Sequence, residues 1–344
     1  MLANLLAVLS LTALAAAAPG LSVSLSGPTT VKGVSNLHVA ATVTNTGDEA
    51  LTLLRDPRGL LHDLPTNAFS IASASGAGPK FVGAVVKYSP ALAAESGAPD
   101  AVTVLAPGDA FTVAHDLSAA YSFASEGEYT ISPSTLFFYV DPATGSPVEL
   151  RASVGATHVA RLTGSLAAPA PPLAKRQTYV GCIASMEVAI TNALAVAQEY
   201  ASESLAYLTA NTTATPRFTT WFGALTASRH ALALAHFSAI AGRDFATFTY
   251  DCTCTIAGTY AYVFPDQLGY YHLCDAFWAA PDAGTDSRGG TLIHESSHFT
   301  ANGGTLDYVY GQTDAAALAV SNPGEAVMNA DNHEYFAENN PALA

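Results

Sequence analysis

Thr291-Leu292-Ile293-His294-Glu295-Ser296-Ser297-His298 is the stretch on which the reading of this chain turns. Its two histidines stand four positions apart, a spacing that projects both imidazoles from one face of an α-helix. Such a helix can offer two nitrogen donors to one metal ion, while Glu295 sits beside the open coordination position. Zinc, one ion per chain, suits these donors, and metal-assisted hydrolysis with Glu295 as general base is the chemistry that follows. The apolar residues leading into His294 predict that the helix is buried.

A catalytic zinc requires a third protein ligand. The metzincin position for a third histidine is empty, because His298 is followed by Phe299-Thr300-Ala301-Asn302-Gly303-Gly304. Spacing alone leaves two options open. One is a glutamate on a later helix, Glu325 or Glu334; the other is Asp307, nine residues beyond His298 and past the Gly303-Gly304 turn.

Working outward, the 344 residues are enough for two domains, each with its own core. Residues 1–18 read as a secretory signal peptide: Leu5 to Ala18 is apolar, too short to span a bilayer, and ends in small residues. No later run is long and apolar enough for a membrane anchor, so a secreted, extracellular protein is expected. From 19 to 165 the pattern is β-like. Leu37-Val39-Ala41-Val43 alternate, and short apolar runs at 51–54, 81–86, 102–105, 129–131 and 136–140 are punctuated by Gly, Pro, Asp and Ser. This predicts an all-β, sandwich-like domain. His38, His62, His115 and His158 are scattered singly in it, as structural or surface residues are.

Residues 166–176 form a Pro-stiffened linker ending in Lys175-Arg176, a target for a kexin-like processing protease. Residues 19–165 are therefore read as a pro-domain and 177–344 as the mature domain. The mature part is α+β with a helical majority. Helices are predicted over 183–208 and, after Pro216, over 218–240, with short strands in 245–263 and 270–278. Asn211 opens an Asn-Thr-Thr glycosylation sequon between the two helices.

Cys182, Cys252, Cys254 and Cys274 all lie in the second half, and behind a signal peptide they predict two disulfides, with three pairings open. Charge is uneven too. From Gln177 on, four arginines face 16 Asp and Glu, against nine basic and 12 acidic residues before it. That balance argues against nucleic-acid binding and would attract a cationic substrate, although solubility alone also accounts for it.

His294-Glu295-Ser296-Ser297-His298 followed by Gly304-Thr305-Leu306-Asp307-Tyr308-Val309-Tyr310-Gly311 resembles the aspzincin signature of deuterolysin-like metalloendopeptidases, HExxH then GTxDxxYG. The resemblance implies a zincin-like catalytic domain in which His294, His298 and Asp307 bind zinc. It also implies that Glu295 is the general base and that Tyr310 donates to the oxyanion. The segment Asn329-Ala330-Asp331-Asn332-His333-Glu334-Tyr335-Phe336 is similar to the peptidyl-Lys metalloendopeptidase branch, which cuts on the amino side of lysine. That similarity implies that Asp331 and Glu334 bind the substrate ammonium, and that the disulfides are Cys182–Cys252 and Cys254–Cys274. An i,i+3 pair does present two carboxylates on one helical face, although a solvated helix N-terminus carries the same residues.

All four lysines, Lys32, Lys80, Lys87 and Lys175, precede Gln177. A lysine-directed protease is spared self-digestion by their absence from its mature part. The expectation is thus a monomeric zinc endopeptidase acting on lysine-containing proteins and peptides, and covered at first by its own pro-domain. The alternatives are a broad-specificity deuterolysin-like enzyme and a metal-free secreted binding protein.

Overall fold

The computed structural model describes residues 19–166 and 178–344. The expected signal peptide and all of the linker after Leu166, with its Lys175-Arg176 pair, lie outside the described residues.

In the N-terminal half, every second side chain of Leu21–Ser26 and of His38–Asn45 is buried, as a sheet with one wet face requires. One sheet runs Ser153–Ala156, Leu21–Ser26, His38–Asn45, Ala110–Asp116. A second runs Thr30–Lys32, His158–Thr163, Gly127–Pro133, Phe69–Ser73, and a third Pro147–Arg151, Leu136–Val140, Leu51–Leu54, Val102–Leu105. Val23, Val39, Val43, Leu53, Ile131 and Leu162 belong to the core they share. The all-β expectation is modified by two short helices, Pro90–Glu95 and Leu117–Ala120.

The run 81–86, expected as one strand, is divided between two. Lys80–Phe81 pairs with Tyr121–Ser122 inside the N-terminal half. At Gly83 the chain passes so close to the Pro65 carbonyl that a Cβ would collide with it. Beyond that point Val85–Tyr88 leaves its own half and pairs antiparallel with Thr259–Val263 of the other. All four of its side chains are buried, with Val85 in the C-terminal core and Val86 and Tyr88 in a small cluster between the halves.

That strand is the end of a five-stranded sheet continuing through Thr259–Val263, Tyr270–Leu273, Thr249–Asp251 and Tyr179–Val180. Around it lie the helices of the C-terminal half. Ala184–Ala210 is rich in alanine, the best helix former. The expected helix over 218–240 is two: Pro216–Phe222, capped by Thr215, and Ala227–Ala241, capped by Thr226. They break at Gly223, whose φ of 74° suits only glycine, and a side chain there would strike the Ala319 carbonyl. Trp278, expected in a strand, lies in the helix Asp275–Ala279.

The helix Arg288–His298 sits at the centre, packed against Ala184–Ala210 and Ala330–Glu338. Residues 289 to 298 are all buried. Gly289 and Gly290 allow this, since a Cβ on either would run into Val196 or Glu338 respectively. Disulfides Cys182–Cys252 and Cys254–Cys274 are both formed, the first tying the start of this half to the end of the strand Thr249–Asp251 and the second tying the following loop to the start of the helix Asp275–Ala279. Among the described residues no helix is long and apolar enough to cross a membrane.

Candidate active site

The central helix brings His294 and His298 to one face, and the loop after it returns Asp307 to meet them. The turn is packed, not loose: the amides of Asn302, Gly303 and Gly304 converge on the Phe299 carbonyl at 2.8–3.1 Å, and Gly304 takes a φ of +62°. Leu306 then bridges to the segment before the last helix through Leu306 N–Met328 O and Ala330 N–Leu306 O, at 2.8 and 3.0 Å. Asn329 holds the rest of the loop, accepting from the amides of Tyr308 and Val309 at 2.8 and 3.3 Å.

His298 donates its Nδ1 proton to the Thr305 carbonyl at 2.8 Å, which leaves the Nε2 lone pair facing the site. Asp307 Oδ1 lies 3.2 Å from Nε2 of His294 and 3.3 Å from Nε2 of His298. None of these three atoms has a hydrogen-bond partner, although all are shut off from water. Their spacings match the ~3.3 Å edge of a tetrahedron with metal–ligand bonds of about 2.0 Å. Burial works against charge on His294, yet Asp307, Asp331 and Glu334 override it and raise its pKa well above the ordinary value. Burial likewise opposes charge on Asp307, but His298 and His294 hold its carboxyl well below the usual range. The pocket favours added positive charge, and its donor set fits a divalent metal such as zinc.

Glu295 is fully buried with both oxygens unpaired, and burial raises its pKa to about 7 against the opposing pull of the two histidines. The Tyr310 ring stacks near His294, with centroids 6.5 Å apart. Its hydroxyl donates to the Val86 carbonyl at 2.9 Å. Tyr308, by contrast, is exposed.

Asp331 and Glu334 lie on the helix Ala330–Glu338, beside the opposite nitrogen of His294. Both are buried, so the reading of this pair as a solvated helix N-terminus is set aside. Asp331 Oδ1 stands 2.8 Å and Glu334 Oε2 3.3 Å from His294 Nδ1. The second oxygen of Asp331 accepts from the Gly311 amide at 2.6 Å. The second oxygen of Glu334 is paired with the ammonium of Lys87, which also lies 3.4 Å from Asp286 and 4.6 Å from the Tyr260 ring centroid. Glu325, the other glutamate considered as a ligand, belongs to the short helix Pro323–Ala326 and is in neither group of converging donors. Asn211 ends the helix Ala184–Ala210, its side-chain amide donating to the Tyr207 carbonyl at 2.9 Å.

Sequence reading missed Lys87, Asp286, Asn329 and Arg58. Arg58 carries its guanidinium 4.6 Å over the Tyr310 ring and 4.9 Å over that of Tyr88. Only Lys87 left a trace in the sequence, as one of four lysines confined to the first half.

Comparison with known proteins places the chain among metallo-endopeptidases. The aspzincin family model, described as lysine-specific metallo-endopeptidase, matches residues 207–338. A peptidyl-Lys metalloendopeptidase of Grifola frondosa is 52% identical over 98% of this chain and 98% of its own. One of Armillaria mellea is 50% identical over 95% of this chain and 93% of its own, and one of Pleurotus ostreatus 59% identical over 48% of this chain and 99% of its own. A solved structure titled as a zinc peptidase from Grifola frondosa is 56% identical, covers 47% of this chain and 100% of its own, and aligns with a TM-score of 0.47. The Grifola and Armillaria endopeptidases set aside the alternative of a metal-free binding protein. The chain belongs to the aspzincin family of metalloendopeptidases, and it is an enzyme of that kind.

Proposed function

We propose that this chain is the precursor of a secreted zinc endopeptidase that cuts peptide bonds on the amino side of lysine. The observation that carries the specificity is the buried carboxylate of Glu334, which lies against His294 and takes a primary ammonium, with Asp286 and Asp331 adding to the same field. A compact ammonium on an apolar stem fits such a site, whereas a neutral side chain would leave a carboxylate buried and unpaired. The names of the Grifola and Armillaria relatives support the same reading.

His294, His298 and Asp307 would hold the zinc, which when bound supplies Lewis acidity and lowers the pKa of a water. Glu295, dry and with a raised pKa, is suited to accept the proton that the attacking water gives up and to pass it to the leaving amine. Tyr310 donates from its hydroxyl to the carbonyl oxygen on which negative charge develops. Its pKa is raised well above 10 by burial, so it stays protonated as that role requires. Asp331 holds His294 and the Gly311 turn, which leaves Glu334 as the carboxylate nearer the ammonium.

On this reading, residues 1–18 are the signal peptide, 19–165 a sandwich-like pro-domain, 166–176 a linker cut by a kexin-like protease, and 177–344 the mature enzyme. Two separate hydrophobic cores support the division. So does the Pleurotus relative, which aligns over 167 residues and nearly its whole length. Two disulfides and a relative of Aeromonas hydrophila named extracellular protease support secretion. The test is to mature the chain, measure bound zinc, digest an unfolded protein and sequence the new N-termini. Lysine at those termini, abolished by a chelator, is the expected result; scattered residues there would defeat the specificity.

A further inference from the structure

The strand Val85–Tyr88 does more than bridge the halves. It runs antiparallel along Thr259–Val263 in the register Val85–Val263, Val86–Tyr262, Lys87–Ala261, Tyr88–Thr259. A bulge at Tyr260 falls opposite Lys87, and the Tyr260 ring meets the lysine ammonium there. Because side chains alternate along a strand, Val85 and Lys87 point together into the C-terminal half. Lys87 is only 3% exposed, although lysine is almost never buried without a partner.

Two contacts fix what this strand resembles. The ammonium of Lys87 is held by Glu334 and Asp286, and the carbonyl of the preceding residue, Val86, accepts the Tyr310 hydroxyl at 2.9 Å. A peptide about to be cut on the amino side of lysine must place its lysine in the carboxylate pocket and the preceding carbonyl at the oxyanion donor. Val86 and Lys87 meet both requirements at once. Lys80, in the same half, instead forms a solvent-exposed pair with Asp266 and touches neither group.

We propose that Val85–Tyr88 is an internal substrate mimic, with Val86 and Lys87 in the places of the residues flanking a bond to be cut, and that it keeps the full chain inactive by filling the cleft. This rests on the lysine-pocket reading given above, and goes beyond it in naming the strand, the residue and the register by which the N-terminal half inhibits. Arg58, lying over the rings of both Tyr310 and Tyr88, fastens the strand to the donor loop.

The test uses the full chain with Arg176→Ser to block processing, loaded with zinc and assayed on a short peptide containing one lysine. Lys87→Met keeps the apolar stem and removes the charge. It should raise the activity of the unprocessed chain at least tenfold, while Lys80→Met changes it less than twofold. A Lys87→Met chain that is folded, by melting and by resistance to trypsin, yet as silent as its parent would overturn the proposal. Should Lys87→Met not fold, Lys87→Arg, which keeps the charge but overfills the pocket, is read in its place; a rise of threefold or more supports the mimic and none refutes it. In parallel, the matured wild-type enzyme is assayed on the lysine peptide and on its norleucine analogue. Equal rates would remove the pocket reading and the mimic with it. A clear lysine preference beside a silent Lys87→Met chain would remove the mimic alone.

Discussion

Asp331 joins His294 to the loop that carries Tyr310: one oxygen stands 2.8 Å from His294 Nδ1 and the other accepts the Gly311 amide at 2.6 Å. Carboxylates behind a ligating histidine fix its ring and raise its basicity. Asp331→Asn keeps the shape and an acceptor for Gly311 but removes the charge. Zinc affinity, measured by competition with a chromophoric chelator, should fall by about 10- to 100-fold. Unchanged affinity would assign Asp331 to the substrate pocket alone.

Glu295 touches neither histidine nitrogen through a hydrogen bond and has both oxygens unpaired. Glu295→Gln should leave zinc content intact while kcat drops by roughly 10²–10⁴, the range expected on losing a general base. Loss of zinc in the variant would instead make Glu295 part of the metal site.

Glu334 is the nearer carboxylate to the ammonium. Replacing it with Gln removes one charge-assisted bond, worth about 1.5–3 kcal/mol, so kcat/KM for a lysine peptide should fall by roughly 10- to 150-fold. The norleucine analogue should lose far less. A parallel loss on both peptides would mean that the substitution disturbs His294 through its 3.3 Å approach.

Acid should destabilise the C-terminal half through a buried histidine pair. His236 Nδ1 and His333 Nε2 are 3.0 Å apart, and His333 Nδ1 is 3.0 Å from the Asn329 carbonyl. Burial lowers the pKa of His236 to about 4, and burial with the neighbouring His236 lowers that of His333 to about 3. Below the ordinary value the unfolded chain therefore binds more protons. The stability is complete at pH 7 and is lost as the pH falls through about 6.5 towards these folded values, at most ~1.4 kcal/mol per group per pH unit. Melting temperatures measured from pH 7 to 4 should show that slope, and His236→Gln should flatten it; an equally steep slope in the variant would refute the assignment.

The parts of the site legible in sequence are those written in local spacing. His294 and His298 share a helical face by periodicity, and Asp307 and Tyr310 sit at fixed distances along one loop. What Asp331 does was not legible, because both of its oxygens are engaged by residues far away in sequence. The strand 81–86 was misread for a similar reason: its second part is stabilised by pairing with Thr259–Val263, a partner no local pattern announces. The break at Gly223 left a local signal, a glycine before Thr226, but the apolar period runs on through it and hid the second cap.

If the proposed processing removes the N-terminal half, the bulge at Tyr260 gains a second role. Thr259–Val263 would then be an outer strand only five residues long, with backbone donors and acceptors turned to water. Long, flat strands in that position invite two copies to zip together and precipitate. Here a bulge between Thr259 and Ala261 interrupts the row of donors, which disfavours such pairing between copies. The irregularity that seats a lysine thereby also guards solubility.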